Sequence, residues 1–193
     1  MNWSILLNPF TKFSEKQLLV FGLLSAVVGS LLATLFGVTF DGVIDVHMWP
    51  EMTFLQSLKE NGVTLILMTL LLFGLGKLIN SKSRFVDILN AALLFRVPFY
   101  LMAALVSIPA IKKIEEELMK NVQTMAGVGL KTTDIIVLLC LTSAIIALLI
   151  YAIALLYNGF KTATNVKKIS HKIFFGLAIL VAEILSKIIL PLL

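Results

Sequence analysis

Five long apolar stretches occupy most of this 193-residue chain and limit what it can fold into. At about 1.5 Å per helical residue, each is long enough, or nearly so, to cross a hydrocarbon core roughly 30 Å thick. They are apolar on every side, whereas helices of soluble proteins carry an apolar stripe. The sequence therefore predicts an all-α, polytopic membrane protein, a bundle of five transmembrane helices. The predicted spans are residues 18–36, 63–79, 86–108, 135–157 and 173–193.

The composition supports the same class, with 59% hydrophobic and 14% charged residues. Five spans joined by modest loops leave no room for a separate soluble core, so residues 1–193 are expected to form a single transmembrane domain. The first apolar stretch begins after 17 residues, is long for a signal and lacks a clear small-x-small cleavage site at its end, so we do not expect it to be a cleaved signal. Cys140 is the single cysteine and lies within the fourth span, so we expect a packing residue and no disulfide framework.

The distribution of Lys and Arg predicts the orientation. The N-terminal segment has two, the second loop three and the fourth loop four, whereas the first loop has one and the third has four. Positive loops stay in the cytoplasm, so the N-terminus is expected inside and the C-terminus outside. The net charge of +5 then reflects topology, and no nucleic-acid partner is expected.

Two loop segments carry apolar residues at helical spacing and predict short amphipathic helices at the membrane surface. In the N-terminal segment these residues are Trp3, Leu6, Leu7 and Phe10, with Pro9 as an interruption. In the third loop they are Ile111, Ile114, Leu118, Val122 and Met125, and the helix is expected to end near Gly127 and Gly129. Both segments are expected to seal the bundle ends against the lipid bilayer.

Small residues recur every four positions along the first span. One row consists of Ser25, Gly29, Ala33 and Gly37, and a second of Gly22, Ala26, Ser30 and Thr34. Small side chains let helices approach closely in lipid. The rows predict either packing within the bundle or homodimerisation through the first span.

Ionisable residues inside a membrane are costly and are therefore candidates for function. The predicted intramembrane polar cluster consists of Asp87, Asn90, Arg96, Glu183 and Lys187. Arg96 and Glu183 each lie about ten residues from the cytoplasmic start of their span, which predicts a contact between them, direct or through water. The cluster would either hold the helices in register as neutral pairs or line a polar cavity.

The first loop contains Asp41, Asp45, His47 and Glu51, which are residue types that can hold a divalent cation. Neither a glycine-framed calcium loop nor a paired-histidine zinc pattern accompanies them, so a solvated acidic loop is the favoured expectation. The sequence also carries no phosphate-binding glycine loop, nucleophile elbow or metalloprotease motif. We therefore expect no enzymatic activity and no cofactor.

Several short motifs, with the five-span topology, resemble compact bacterial members of the Yip1 family across nearly the whole chain. They are Asn8-Pro9-Phe10, Phe13-Ser14-Glu15-Lys16-Gln17, Phe40-Asp41-Gly42, and Asp87 with Arg96-Val97-Pro98. The resemblance implies an integral membrane protein, and with the short loops it implies a bacterial inner membrane. Eukaryotic relatives associate with Rab-type GTPases and with one another, and they carry a longer N-terminal region with aromatic and glycine motifs. This sequence departs from that pattern, so GTPase binding is not expected.

Two functions remain open at the level of sequence. The first is a non-enzymatic protein that organises membrane or protein interactions, with a homo-oligomer or other membrane proteins as partners. The second is a small transporter or lipid-handling protein that uses the buried Arg96 and Glu183.

Overall fold

The computed structural model of the protein describes residues 3–123 and 131–193, and in these residues the fold is all-helical apart from one short hairpin. The helices are α1 (Trp3–Leu7), α2 (Glu15–Phe36), α3 (Phe54–Ile79), α4 (Phe85–Val106), α5 (Pro109–Gln123), α6 (Thr132–Thr164) and α7 (Ile169–Ile189). The strands are β1 (Val38–Thr39) and β2 (His47–Met48). Helices α2, α3, α4, α6 and α7 are long and apolar enough to cross a membrane.

Capping boxes set the starts of two of the long helices. The hydroxyls of Ser14 and Thr53 accept hydrogen bonds from the backbone N–H groups of Gln17 and Gln56. The glutamine side chains accept in return from the backbone of each cap residue, which satisfies N–H groups that a helix start leaves unpaired. Helix α3 therefore starts nine residues before the predicted span.

The remaining span ends differ from prediction for local reasons. Helix α6 continues past residue 157 to Thr164 and stops at Asn165, whose φ of 53° is left-handed. Helix α7 starts at Ile169, four residues early, and ends at Ile189, where a 3₁₀ turn over Leu190–Leu192 follows. Polar residues that the hydropathy pattern assigned to loops are thus helical.

Helix α4 is the centre of the bundle and contacts α2, α3 and α6, while α7 packs on α3. In its most apolar stretch, 72% of the residues of α4 are buried, whereas the corresponding share for α6 is 6%. Aromatic and aliphatic side chains of α4, including Phe95 and Phe99, form a larger part of the core than those of any other helix. The charged residues that α4 carries are therefore held by protein or lie at its ends.

The connection from α2 to α3 folds back into the bundle. Gly37 ends α2 with a φ of 63°, a left-handed conformation that glycine adopts readily. The chain then forms an antiparallel hairpin in which Val38 pairs with Met48 and Thr39 with His47. Residues 37–53 define the first loop, and we call their side of the bundle the loop end. The opposite side, at the turn over residues 80–84, is the turn end.

The two predicted surface helices are present as α1 and α5. Pro9 ends the first one, and a 3₁₀ turn over Pro9–Thr11 follows. In α5 the predicted apolar face contributes Ile111 and Ile114, both buried. Met125, Gly127 and Gly129, where that helix is predicted to end, lie outside the described residues.

Candidate functional site

A fully buried guanidinium lies at the centre of the polar site. Arg96 is 1% exposed and donates from Nη1 to the backbone carbonyls of Gly42 and Val43, at 3.1 and 2.9 Å. Its Nε and Nη2 donate to Oδ1 of Asn61 at 3.3 and 3.0 Å. Most of the five N–H donors of this arginine are therefore used within the protein.

Aromatic rings complete the surroundings of the guanidinium. Phe40 and Phe99 place their ring centres 5.1 and 5.3 Å from its central carbon, within the range of a cation–π interaction. Phe40 also packs edge-to-face on Tyr100. Phe40 is a first-loop residue, so the loop supplies both carbonyl acceptors and an aromatic face to the buried charge.

Asn61 of α3 connects this charge to α2. Its Nδ2 donates to the hydroxyl of Ser30 at 2.9 Å, and that hydroxyl donates to the carbonyl of Ala26 at 3.0 Å. The hydroxyl of Tyr100 lies 3.4 Å from Oδ1 of Asn61. A continuous hydrogen-bond network thus joins α2, α3 and α4 around Arg96.

Two carboxylates bind backbone N–H groups of the same loop. Oε2 of Glu60 accepts from the N–H of Phe40 at 3.1 Å and from the hydroxyl of Thr39 at 2.8 Å. Oε2 of Glu183 accepts from the N–H of Ile44 at 2.9 Å. Glu183 also lies so close to Gly42 that a Cβ at that position would overlap its carboxylate. Acids from α3 and α7 and an arginine from α4 therefore fix the loop from three sides.

Lys187 forms a second charged group nearer the surface. Its ammonium lies 2.7 Å from a carboxylate oxygen of Asp41 and makes a short contact with Asp45. Nδ1 of His47 lies 3.3 Å from Oδ2 of Asp45. Partial burial acts to raise the pKa of the Asp45 carboxyl, but the hydrogen bond and charge of Lys187, together with His47, outweigh it. That pKa is lowered from its ordinary value.

The arrangement bears on the predicted alternatives for Asp41, Asp45 and His47. One ligand atom from each lies within 4.8 Å of the others, a spacing that a cation could bridge. The ammonium of Lys187 already contacts both carboxylates. The side chains of Asp41, Asp45 and His47 are 32–44% exposed, in line with a solvated acidic loop, whereas Phe40 and Val43 of the same loop are buried at 0% and 1% exposure. A loop that lies inside a bundle needs acceptors and donors for its backbone, and the charged residues provide them.

The predicted five-residue cluster is divided between the two ends of the molecule. Arg96, Glu183 and Lys187 all hold the first loop, but within the described residues no direct ion pair joins Arg96 to Glu183. Loop backbone lies between the partners that the sequence predicted to meet. The sequence-based prediction assigned the first loop to the aqueous phase, so it could not anticipate loop backbone between Arg96 and Glu183.

Asp87 and Asn90 belong to the turn end instead. Asp87 forms a bidentate pair with Arg84, at 3.0 and 2.6 Å, and Glu15 contacts the same guanidinium. The hydrogen bonds from Arg84 to Asp87 and Glu15 raise the pKa of this exposed arginine. Nδ2 of Asn90 donates to the carbonyl of Glu15 at 3.2 Å. These contacts attach the start of α2 to the start of α4.

The small-residue row of the first span faces inward. Ala33 is fully buried, and a Cβ on Gly29 would overlap the ring of Tyr100 on α4. Gly37 ends the helix, and Ser25 is half-buried with its hydroxyl bonded to the carbonyl of Phe21 at 2.7 Å. This row serves contact between α2 and α4, which leaves little of it for a partner helix.

Sequence reasoning missed Asn61 and Glu60, which lie before the predicted start of the second span. The Thr53-x-x-Gln56 capping box is the signal that could have found them, since it moves the helix start to Phe54. Comparisons with family models, with curated proteins and with solved structures found no match for this chain.

Proposed function

We propose that this chain is a non-enzymatic, multi-pass membrane protein of Yip1 type that organises contacts between membrane proteins. Five helices long and apolar enough to span a bilayer support membrane insertion. The use of the buried charges to fix a loop supports a scaffold role, since they act on the protein's own backbone.

The proposed membrane is a bacterial inner membrane, with the turn end in the cytoplasm and the loop end outside. Both turn-end connections, residues 80–84 and 165–168, are rich in basic residues. They and their flanks carry Lys77, Lys82, Arg84, Lys161, Lys167, Lys168 and Lys172. By the positive-inside rule, this bias supports a cytoplasmic turn end, with the first loop and the C-terminus outside.

The observation that carries the proposal is the exposure of the loop-end half of α6. From Thr132 to Tyr151, none of its side chains is buried by the described parts of the chain. Its first buried residue is Ala152. One side of this stretch, with Ile145, Leu148 and Leu149, packs against the core, and the other side is exposed. Helices in lipid gain stability by packing on one another, so the exposed side provides a surface for a partner helix.

A second copy of this chain is the partner that the α6 surface fits best. Cys140, Ser143 and Ala147 lie on one face of α6 at i, i+3 and i+7, and all three are exposed. Small residues at this spacing permit close approach of an identical helix. We call these three residues the α6 face.

The native cysteine provides the test. In membranes treated with a thiol oxidant, Cys140 is expected to give a disulfide-linked dimer, because identical residues on a two-fold contact face each other. The matched control is the double variant Cys140→Ala, Thr142→Cys, which moves the thiol to the opposite side of the same helix turn. Dimer from Cys140 and much less from the control is the expected result. Equal crosslinking of both, or monomer alone at every expression level, would refute the self-contact.

The alternative function, a small transporter or lipid-handling protein that uses Arg96 and Glu183, needs these charges to face a path. Arg96 instead donates to Gly42, Val43 and Asn61. We therefore favour the organising function, and the accessibility of the loop to an aqueous thiol reagent separates the two.

A further inference from the structure

Two cavities lie side by side at the turn end, and the N-terminal segment forms a wall of each. The larger has a volume of about 500 Å³ and is lined mostly by apolar side chains of α1, α2, α4 and α6. The smaller, about 230 Å³, is mainly polar. Phe13 and Leu18 line both cavities, so an apolar cavity and a polar cavity lie next to each other and share a wall.

The polar cavity contains an acceptor without a partner. Asn90 is 2% exposed, and its Oδ1 has no hydrogen-bond partner among residues 3–123 and 131–193. Its amide nitrogen already donates to the carbonyl of Glu15, so the oxygen is the unpaired atom of this side chain. A buried polar atom left unpaired destabilises the protein, and a ligand donor would remove that cost.

The charges around this oxygen favour a donor that carries positive charge. Two carboxylates, Glu15 and Asp87, and one guanidinium, Arg84, line the cavity with Asn90, so acids outnumber bases. Arg84 uses Nε and Nη2 on the two acids. Its side chain is 60% exposed, which leaves the guanidinium edge accessible to an anion beside the cavity.

We infer that these two cavities together bind one phospholipid whose headgroup ends in a primary ammonium, as in phosphatidylethanolamine. The ammonium donates to Oδ1 of Asn90 next to Glu15 and Asp87, the phosphate lies by Arg84, and one acyl chain occupies the apolar cavity. The inference rests on membrane insertion of the bundle and is independent of the α6 face. It concerns a different site from the Arg96 centre.

The chemistry distinguishes this headgroup from other common ones. A quaternary ammonium, as in phosphatidylcholine, has no N–H to donate to Asn90. Phosphatidylglycerol can donate from hydroxyls, but it brings net negative charge to a cavity in which acids already outnumber bases. A preference for the primary ammonium is therefore the diagnostic property of the site.

The N-terminal segment is fixed where it would close over such a lipid. The hydroxyl of Tyr151 donates to the carbonyl of Leu6 at 3.1 Å, and Nδ2 of Asn158 donates to the carbonyl of Leu7 at 2.8 Å. Helix α6 thus holds α1 against the apolar cavity, whose lining includes Leu6.

The first test compares lipids on the unaltered protein. The full chain, purified in detergent, is titrated with phosphatidylethanolamine, phosphatidylcholine or phosphatidylglycerol of identical acyl chains, and bound lipid is counted by native mass spectrometry. One phosphatidylethanolamine per chain, bound roughly tenfold more tightly than the other two, is expected from one additional charge-assisted hydrogen bond. Equal affinity for all three, or a preference for phosphatidylglycerol, would overturn the inference.

Two variants locate the site. Asn90→Leu removes the unpaired acceptor and should abolish the headgroup preference. Val97→Phe fills the apolar cavity that Val97 lines and should lower occupancy by all three lipids alike, while leaving the polar cavity intact. The matched control is Val28→Phe, at a residue of α2 that is 53% exposed and outside both cavities. Retention of full, selective binding in Val97→Phe would place the lipid elsewhere and overturn the inference even if Asn90→Leu does not fold.

Discussion

At the scale of single residues, Arg96 is a buried charge held mainly by neutral acceptors. Loop carbonyls and the amide of Asn61 receive its hydrogen bonds, while Glu60 and Glu183 act on it through space. The sequence placed Arg96 and Glu183 at similar depth, and both do serve one site. It could not predict that loop backbone would lie between them, because hydropathy assigns such loops to water.

Replacement of Arg96 should destabilise the fold strongly. Arg96→Leu leaves the carbonyls of Gly42 and Val43 and the Asn61 oxygen without donors, at an expected cost of about 3 kcal/mol or more. Arg96→Lys keeps the charge, but a lysine cannot reach all these acceptors. The stability of Arg96→Lys should therefore lie between that of Arg96→Leu and that of the wild type. Denaturant unfolding in detergent measures both. Wild-type stability in Arg96→Leu would contradict the proposed role.

The Arg96–Asn61 bond can be isolated by a double-mutant cycle. Losses from Arg96→Leu and Asn61→Leu should be less than additive, because each removes the same contact. Thr69→Val is the matched control on α3, since Thr69 is also buried and lies about two helical turns after Asn61. The losses of stability from Thr69→Val and Arg96→Leu should be additive. Additive losses in both pairs would show that Asn61 does not hold the arginine.

Asp45 gives the molecule a predictable response to acid. Its pKa is lowered in the folded state from 3.8, so its contribution to stability is present above that value. The contribution is lost as pH falls through the lower folded pKa. Asp45→Asn should therefore melt below the wild type at pH 7, and the gap in melting temperature should narrow as the pH falls below 3.8. A gap that stays constant across this range would show that the contact with Lys187 contributes nothing.

At the scale of elements, the contact of α2 with α4 depends on close approach. A methyl group at Gly29 would overlap Tyr100, so Gly29→Ala should lower the melting temperature. Gly74 on α3 has open space where its Cβ would be, and Gly74→Ala should be neutral or stabilise by up to about 1 kcal/mol. Equal melting temperatures for the two variants would mean that α2 does not pack on α4 through Gly29.

Helix existence and helix ends differed in how far the sequence predicted them. The sequence predicts all five long helices, because each apolar segment has about the length that a helix needs to cross a membrane. Their ends depend on capping side chains and on polar turns that hydropathy counts as loop. Thr53 and Gln56 extend α3 outward and make Glu60 and Asn61 helical residues. The hydropathy pattern therefore identified Arg96 and Glu183 as site residues but not Glu60 and Asn61.

At the scale of the whole molecule, the bundle carries charge at two separate places. At the loop end, Arg96, Glu60 and Glu183 fix the first loop inside the helices. At the turn end, Arg84 joins the starts of α2 and α4 beside the amphipathic cavities. Spacing along one helix predicts the depth of a residue, but it cannot predict which distant backbone will reach it. For this reason, the residues that were predicted to form one polar cluster lie in two groups, at opposite ends of the bundle.

The buried charges hold the first loop inside the bundle, and we propose that this loop lies on the outer side of the membrane. The direct test is labelling of single cysteines with an impermeant maleimide in sealed spheroplasts, in a Cys140→Ala background. Glu51→Cys, which is exposed, should label from outside, whereas Val43→Cys, at 1% exposure, should be protected. Adding Arg96→Leu should release the loop and make Val43→Cys reactive. Equal labelling of both positions without that change, or labelling of Glu51→Cys only after lysis, would contradict the account.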